Sequence, residues 1–294
     1  MTHAVALLHP LDQINWLRWS VHPSTVAGIV GLAALYLWRA RREGRSPTAN
    51  QRVSFGAGLF FLFIALNGPI HDLSDSYLFS VHMVQHLLLT MLVVPLLIAG
   101  TPGWMLRPAL RNRAVAGVAR AITKPAAAFS IFNLTLAVWH VPAVYDVAMR
   151  NHGVHIVQHL CFLVAATLMW WPLMSPLPEL PRASFPAQML YTFLLTLPMS
   201  LIGVIITYAG GVLYPAYQSA PRIAGLSPMD DQLIGGLIMW IPGGFIFLGV
   251  LTVVFFRWSA TEGGNDREAG GRRREAESAE FEVTSRGSFQ SSRL

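Results

Sequence analysis

The sequence predicts an all-α fold, a polytopic membrane bundle of about seven transmembrane helices. Of the 294 residues, 53% are hydrophobic and 12% are charged, whereas about a quarter of the residues in a soluble domain are charged. The charges are also segregated, because residues 53–100 contain only Asp72 and Asp75, while the segment from Arg257 onward holds 7 Arg and 7 acids. This composition excludes an ordinary soluble domain.

Seven apolar runs approach the length of about 20 residues that a helix needs to cross a bilayer. None of them alternates with a period of two, so helices are expected and not the strands of a barrel. The first run is the least apolar of the set. The seven runs cover residues 22–39, 53–70, 78–99, 126–148, 154–175, 186–209 and 232–256.

Basic residues predict the orientation of the bundle. The loops at 39–52, 99–125 and 175–186, together with the segment from residue 257, hold 18 of the 21 Lys and Arg residues. The positive-inside rule then places the N-terminus outside and the C-terminal tail in the cytoplasm. This distribution accounts for the net charge of +6 without a nucleic-acid partner, and the lipid bilayer is the expected partner instead.

The chain is therefore expected to have three parts. Residues 1–21 form an outer N-terminal segment, without the features of a cleaved signal peptide. Residues 22–256 form the seven-helix transmembrane domain. Residues 257–294 form a cytoplasmic tail that is predicted to be disordered, because it has too little apolar surface to fold alone.

A repeated histidine motif is the main candidate for chemistry. The segment Ser80-Val-His-Met-Val-Gln-His86-Leu recurs as Gly153-Val-His-Ile-Val-Gln-His159-Leu, at an offset of 73 residues. An upstream histidine at an expected helix end precedes each copy, His71 in one case and His140 in the other. The repeat predicts two duplicated helix hairpins that each carry histidines, an arrangement that builds binding sites at repeat interfaces.

The spacing within each copy suits a metal. Histidines at i and i+4 lie on one face of a helix, about 6 Å apart along its axis, so two imidazoles can converge on one ion. The predicted topology places all seven of these histidines near the outer surface. The primary candidates are His82, His86, His155 and His159, and the histidines on the access route or in secondary positions are His71, His140 and His152.

Two interpretations of the histidines that involve no metal stay open beside the metal hypothesis. A histidine inside a membrane is often only an interhelical hydrogen-bonding residue, so the repeat could be a duplicated packing motif. The other three histidines, His3, His9 and His22, are expected to be solvated in the outer segment.

Copper is the favoured ion. Imidazole suits copper, zinc, iron and nickel, and thioether sulfur adds a preference for cuprous copper; Met83 lies within the first motif. Haem is the alternative, held by one histidine from each hairpin. Zinc hydrolysis is disfavoured, because the motif lacks the Glu of the HExxH zincins.

Acidic and small residues open the last apolar run. Asp231 follows Asp230 at the expected start of that helix, where a carboxylate is favoured by the helix dipole. Helix capping is the first interpretation of Asp231, and a supporting partner for the histidines is the second. Gly235, Gly236, Gly243 and Gly244 are expected to permit close helix packing.

Enzyme signatures are missing from the sequence. The single cysteine, Cys161, excludes a disulfide framework and a thiolate cluster. No nucleotide-binding loop or Ser-His-Asp arrangement is visible in the sequence, so a conventional enzyme is not expected.

The ordered set of motifs resembles the CtaG-type cytochrome c oxidase assembly factors over about residues 60 to 250. The motifs that carry the resemblance are His82-Met-Val-Gln-His86, Pro95-Leu-Leu-Ile-Ala-Gly-Thr-Pro102, Trp139-His140-Val-Pro142, His155-Ile-Val-Gln-His159, Leu213-Tyr-Pro-Ala-Tyr217 and Asp231-Gln232-Leu-Ile-Gly-Gly-Leu-Ile-Met-Trp240.

This resemblance implies a multi-pass protein of the bacterial plasma membrane that helps to assemble a haem–copper oxidase. It implies copper handling on the outer side and cytochrome c oxidase subunits as partners. A haem-binding redox protein and a non-catalytic membrane scaffold are the rival hypotheses, and a homo-oligomer is compatible with each of them.

Overall fold

The computed structural model describes residues 19–223 and 225–291, with side chains described up to residue 262, and every regular element among them is a helix. The all-α prediction is therefore confirmed. A π-helical turn, Leu88–Val93, joins α4 to α5, and a 3-10 turn, Arg107–Arg111, precedes α7. The helices are α1 Pro23–Arg42, α2 Ala49–Leu66, α3 Gly68–Ser76, α4 Phe79–Leu87, α5 Val94–Gly100, α6 Gly103–Leu106, α7 Arg113–Ile122, α8 Pro125–His140, α9 Pro142–Arg150, α10 His152–Met174, α11 Phe185–Thr207, α12 Pro215–Gln218 and α13 Pro228–Ser291.

Five segments among the described residues are long and apolar enough to cross a membrane. They are Ala49–Leu66, Phe79–Gly100, His152–Met174, Phe185–Thr207 and Pro228–Glu262. A sixth span arises if α7 and α8, which meet at an angle of 74°, count as one. The bundle thus has five or six candidate spans, whereas the sequence predicts about seven.

The difference from the predicted count has two local causes. Helix α1, which corresponds to the run at 22–39, is not among the apolar spans. The predicted span at 126–148 is interrupted, because α8 ends at His140 and a new helix begins at Pro142. Proline has no amide N–H to continue the helical hydrogen bonds and is favoured in a first turn, so it marks this break.

The outward faces of the spans carry large apolar side chains. Phe60, Leu134, Val164, Leu201 and Phe245 are all exposed. Contiguous exposed apolar surface of this extent is rare in soluble monomers. The faces are suited to lipid, and the protein is a membrane protein.

Two hairpins share one architecture, and they contain the two copies of the histidine motif. The first comprises α2, α3 and α4, and the second comprises α8, α9 and α10; the connecting helices α3 and α9 have nine residues each. Helix α10 packs against the π-helical turn and α5, and the Trp170 indole N–H donates to the carbonyl of Thr90 in that turn at 2.8 Å. The wide turn precedes Pro95, which cannot donate an amide hydrogen bond.

Glycines bring α13 close to its neighbours. A Cβ at Gly235 would lie 2.4 Å from the Phe79 ring of α4, and one at Gly236 would lie 2.3 Å from Thr207 of α11. One at Gly243 would lie 2.1 Å from the Met199 methyl group, but nothing lies within 4 Å of Gly244. The packing prediction is therefore confirmed at three positions and wrong at Gly244, which faces open space.

The predictions for the two ends of the chain stay predictions. The backbone of α13 continues as helix to Ser291, into the segment for which the composition predicts disorder. His3 and His9 lie outside the described residues. The division into residues 1–21, 22–256 and 257–294 therefore remains a prediction.

Candidate metal centre

The first hairpin contributes two histidine positions from α4. His82 and His86 are buried, and their ring centroids are 4.3 Å apart, as their i, i+4 spacing predicts. His71 is buried as well, but it does not end α2 as expected. Helix α2 ends at Leu66, so His71 lies inside the connecting helix α3. Helix α3 in turn contacts α4.

The second hairpin supplies the matching pair from α10. His155 and His159 are buried with ring centroids 4.4 Å apart, and His140 is buried at the end of α8. His152, at the first position of α10, is exposed. Six of the seven predicted histidines are thus buried together, and the seventh lies at the rim.

The two copies of the motif meet ring against ring. The His82 and His155 rings are nearly parallel, with an angle of 16° between their planes and 5.5 Å between their centroids. The second pair in the repeat, His86 and His159, has centroids 5.6 Å apart. His140 extends the cluster, with its ring 6.4 Å from that of His86. Both hairpins therefore contribute to one continuous cluster.

A buried carboxylate joins the cluster, and the sequence analysis did not select it. Asp75 Oδ2 lies 3.4 Å from His71 Nε2 and 3.4 Å from His155 Nδ1. One ligand atom each from Asp75, His82 and His155 lies within 4.8 Å of the others. The only sequence signal was that Asp75 is one of two charges in residues 53–100.

Hydrogen bonds fix the orientation of His82. The Tyr217 hydroxyl donates to the Ser74 carbonyl at 2.6 Å and lies 3.2 Å from His82 Nδ1. Burial raises the pKa of the Tyr217 phenol well above its usual value, so the hydroxyl keeps its proton. Because that proton is given to Ser74, His82 Nδ1–H is the donor to the Tyr217 oxygen, and the lone pair of His82 lies on Nε2.

His140 is oriented in the same way. Its Nδ1 lies 2.7 Å from the carbonyl of Leu136, which can only accept a hydrogen bond. Nδ1 therefore carries the proton, and Nε2 carries the lone pair. Metal-binding histidines typically donate their other ring N–H to a carbonyl or carboxylate in this manner.

Several buried imidazole nitrogens have no hydrogen-bond partner among the described residues. Burying a polar atom without a partner costs about 1–3 kcal/mol, so such atoms are rare in folded proteins. Their concentration at one place indicates a site with unused capacity to bind a ligand. The nitrogens are His82 Nε2, both ring nitrogens of His86, His140 Nε2, His155 Nε2 and His159 Nε2.

The rim of the cluster includes a histidine that was expected to be solvated. His22 is buried, and its backbone N–H donates to the Asn67 side chain at 2.9 Å. Its ring lies 4.3 Å from that of His71 and 5.7 Å from that of the exposed His152. The solvated interpretation is therefore wrong for His22, because residues just before α1 pack over the break between α2 and α3.

Asp231 supports the first hairpin directly. Its carboxylate accepts hydrogen bonds from the backbone N–H groups of Phe79 and Ser80 at 2.7 and 3.1 Å, and from the Ser80 hydroxyl at 2.5 Å. Asp231 thus caps α4, whose own N-cap residue, Leu78, has no side chain that can do so. The capping interpretation placed it on its own helix, whereas the structure shows it capping the helix that carries His82.

Met83 lies at the inner boundary of the cluster. Its side chain is buried and lines a small cavity together with His86 and His140. This position agrees with its selection from the sequence as a residue near the site.

The fold and the site define a polytopic helical membrane protein whose polar centre is built from two copies of one histidine-bearing hairpin. Residues 32–261 match the family described as cytochrome c oxidase caa3 assembly factor (Caa3_CtaG). The chain belongs to this family, and the resemblance found in its motifs is confirmed.

Curated relatives are larger proteins. Uncharacterized proteins of Mycobacterium bovis and Mycobacterium tuberculosis are each 24% identical over 248 residues, and one of Mycobacterium leprae is 22% identical over 240 residues. The matches cover 75–78% of this chain but 36% of each relative, so the chain spans about a third of their length. No solved structure matches the chain.

Proposed function

We propose that this oxidase assembly factor binds copper as cargo in the histidine cluster and passes it to an apo-oxidase subunit at the outer face of the membrane. The observation that carries the proposal is the buried group of Asp75, His82 and His155, whose ligand atoms lie within 4.8 Å of one another. The group joins both hairpins, so the folded bundle as a whole forms the site.

The donor set suits a transferable copper ion. Imidazole is a common copper ligand, and a carboxylate partner supplies negative charge in a region with few other charges. Three converging donors are fewer than the four that close a structural metal site. Open coordination positions favour ligand exchange with a receiving subunit, and no covalent step is required, so we propose a non-catalytic role.

The space beside the histidines favours an ion over haem. Within the described residues, the cavities that the clustered histidines line have volumes of about 20 and 30 Å³. Pockets for organic ligands are typically about 300–1,000 Å³. A porphyrin would require the two hairpins to separate, whereas an ion fits between rings that already face each other.

The outer location of the cluster is supported by the distribution of charge along the hairpins. The histidines lie at the end of the bundle formed by the α2–α4 and α8–α10 connections. The connections that hold Arg45, Arg107 and Arg182 lie at the opposite ends of the same hairpins. The positive-inside rule assigns those loops to the cytoplasm and the cluster to the outer side.

The rim histidines provide a route into the site. The exposed His152 lies beside His22, which lies beside His71, and Asp75 joins His71 to His155. An ion entering at His152 could be passed inward from one donor to the next without release. This route leads from the surface to the centre that both hairpins share.

The proposal is tested by metal analysis and an optical spectrum of the detergent-purified protein, combined with oxidase activity in cells that depend on it. We expect copper in the wild type and a lower copper content in a His82→Ala, His155→Ala variant, together with the loss of oxidase activity. His152→Ala is the matched control, because an exposed rim histidine should affect the rate of loading and leave the copper content unchanged.

Two results would contradict the proposal. A Soret band in the purified protein would identify a haem protein. Normal oxidase activity in the double variant would show that the histidines only pack the helices, as expected for a scaffold.

A further inference from the structure

The small cavity that Met83, His86 and His140 line lies deeper in the bundle than the Asp75 carboxylate. It has a volume of about 20 Å³, enough for one ion or water molecule. Four methionines line it, Met83 from α4, Met91 from the π-helical turn, Met199 from α11 and Met239 from α13. All four are buried.

Methionine alone would be an ordinary filler for an apolar core. This cavity differs because two imidazoles line it, His86 and His140, and three of their four ring nitrogens lack a partner among the described residues. Neither ring nitrogen of His86 has a hydrogen bond, and the free Nε2 of His140 carries its lone pair, because Nδ1 donates to Leu136. A simple packing defect would not explain why imidazole nitrogens without hydrogen-bond partners are buried at the wall of this cavity.

The remaining wall includes the apolar Phe132, Leu136 and Phe162 and one polar residue, Thr90, whose hydroxyl donates to the His86 carbonyl at 2.7 Å. Among the residues that the structure describes, no carboxylate lines the cavity. A divalent cation would therefore be held there without a compensating charge, which is strongly unfavourable in a low-dielectric interior. A monovalent ion with a preference for soft donors suits the same surroundings better.

We infer that this methionine-lined cavity is a separate site for a monovalent soft d10 ion, Cu(I), bound by thioether sulfur and by His86 and His140. Thioethers select Cu(I) among the biological metals, and imidazole is a compatible second donor. The inference rests on the proposed copper function and adds a valence and an inner binding position to it. His86 belongs to the shared cluster and also lines the cavity, so it connects the two positions.

The test is anaerobic binding of Cu(I), and of Ag(I) as a redox-inert substitute, to the full-length detergent-purified protein. The variant is Met83→Leu, Met199→Leu, Met239→Leu, in which size and apolarity are nearly kept and sulfur is lost. Met105→Leu is the matched control, because Met105 is a buried methionine packed with Tyr36 and Phe55, away from the cluster. Bound ions are counted, and X-ray absorption reports sulfur neighbours.

We expect the wild type and Met105→Leu to bind an ion with sulfur neighbours. The triple variant should lose that equivalent and its sulfur signal, while it keeps the copper that depends on His82 and His155. If the triple variant does not fold, Met239→Leu alone and His140→Ala serve instead, and each should weaken Cu(I) binding at least tenfold.

The outcomes separate this inference from the proposed function. Copper that depends on His82 and His155, with no sulfur neighbours and an unchanged content in the triple variant, would overturn the inner site and leave the proposed function intact. Absence of bound copper from the wild type would overturn both. Sulfur-bound Cu(I) that persists in the His82→Ala, His155→Ala variant would support a separate site.

Discussion

The last helices of the two hairpins, α4 and α10, carry nearly the same eight residues near their starts but have different surroundings. In each, a nine-residue helix precedes the helix that carries two buried histidines four residues apart. In the first hairpin, the buried Gln85 donates to the Ala65 carbonyl at 2.8 Å and accepts from the Ser74 hydroxyl at 3.2 Å. Its counterpart Gln158 is equally buried, yet neither atom of its amide has a partner.

The connecting helices α3 and α9 also differ in the polar groups that they supply. Asp75 in α3 corresponds to Ala148 in α9 at the offset of 73 residues, so only the first hairpin has a carboxylate at this position. That carboxylate reaches across to His155 of the second hairpin. Tyr145 of α9 in turn lies beside His82 of the first, with ring centroids 5.3 Å apart.

This comparison separates two tasks within the site. The repeated residues place four imidazoles in facing pairs, and the residues that differ between the copies supply charge and hydrogen bonds. A symmetric pair of hairpins would bury lone pairs without a counter-charge. The residues that differ between the two copies therefore make the site asymmetric. The repeated residues alone would form only a packing motif.

The largest effect is expected from the cap on α4. Asp231→Ala removes three hydrogen bonds to a buried carboxylate, and each such bond contributes about 1.5–3 kcal/mol, so we expect a destabilisation of about 3 kcal/mol or more. The matched change in the second hairpin is Asn151→Ala, which removes an exposed local cap on α10 and should cost about 1 kcal/mol. Thermal unfolding in detergent measures both, and equal shifts would refute the difference.

Asp75→Asn is expected to weaken copper binding about 10- to 100-fold, because it keeps the shape of the side chain and removes its charge. Asp146→Asn is the control, since Asp146 forms a peripheral ion pair with Arg150 in the second hairpin. Competition titration with a copper chelator measures the affinity. Equal affinities of the two variants would show that the Asp75 carboxylate does not contribute to the site.

Gly235→Ala tests the close contact between α13 and the first hairpin. The new methyl group would meet the Phe79 ring and the Ser80 backbone, so we expect a loss of about 1–3 kcal/mol. Gly244→Ala on the same helix meets nothing within 4 Å and should leave the unfolding midpoint unchanged or raise it slightly. A larger loss at Gly244 than at Gly235 would contradict the packing.

The smallest effect should come from the two glutamines. Gln85→Leu leaves the Ala65 carbonyl without its donor and should cost about 1–2 kcal/mol. Gln158→Leu removes an amide that has no partner, so its stability should be unchanged or higher. Thermal unfolding of the two variants side by side checks this, and a stronger effect at Gln158 would reverse the asymmetry of the hairpins.

Local patterns in the sequence were sufficient for the helices and for the facing histidines. The i, i+4 spacing determines that His82 and His86 share a face, and duplication of the motif implies that its partner lies in an equivalent hairpin. The number of spans was harder to predict from the sequence, because the apolar run continues through Val141 and Pro142 although the helix breaks there.

Tertiary contacts supply the part of the site that the sequence could not indicate. Asp75 becomes a candidate ligand only because α3 meets α10, and Tyr217 reaches His82 from 135 residues away. His22 is buried because its segment pairs with Asn67. None of these contacts follows a period within one helix, so sequence spacing could not reveal them.

The most direct test of a single centre shared by both hairpins is a Cu(II) titration of the wild type, His82→Ala, His155→Ala and the double variant. A shared site predicts that each single variant loses the same binding event and that the double variant is hardly worse, so the two effects are strongly non-additive. Two separate sites would give about half of the capacity in each single variant and complete loss only in the double variant, which would contradict the shared centre.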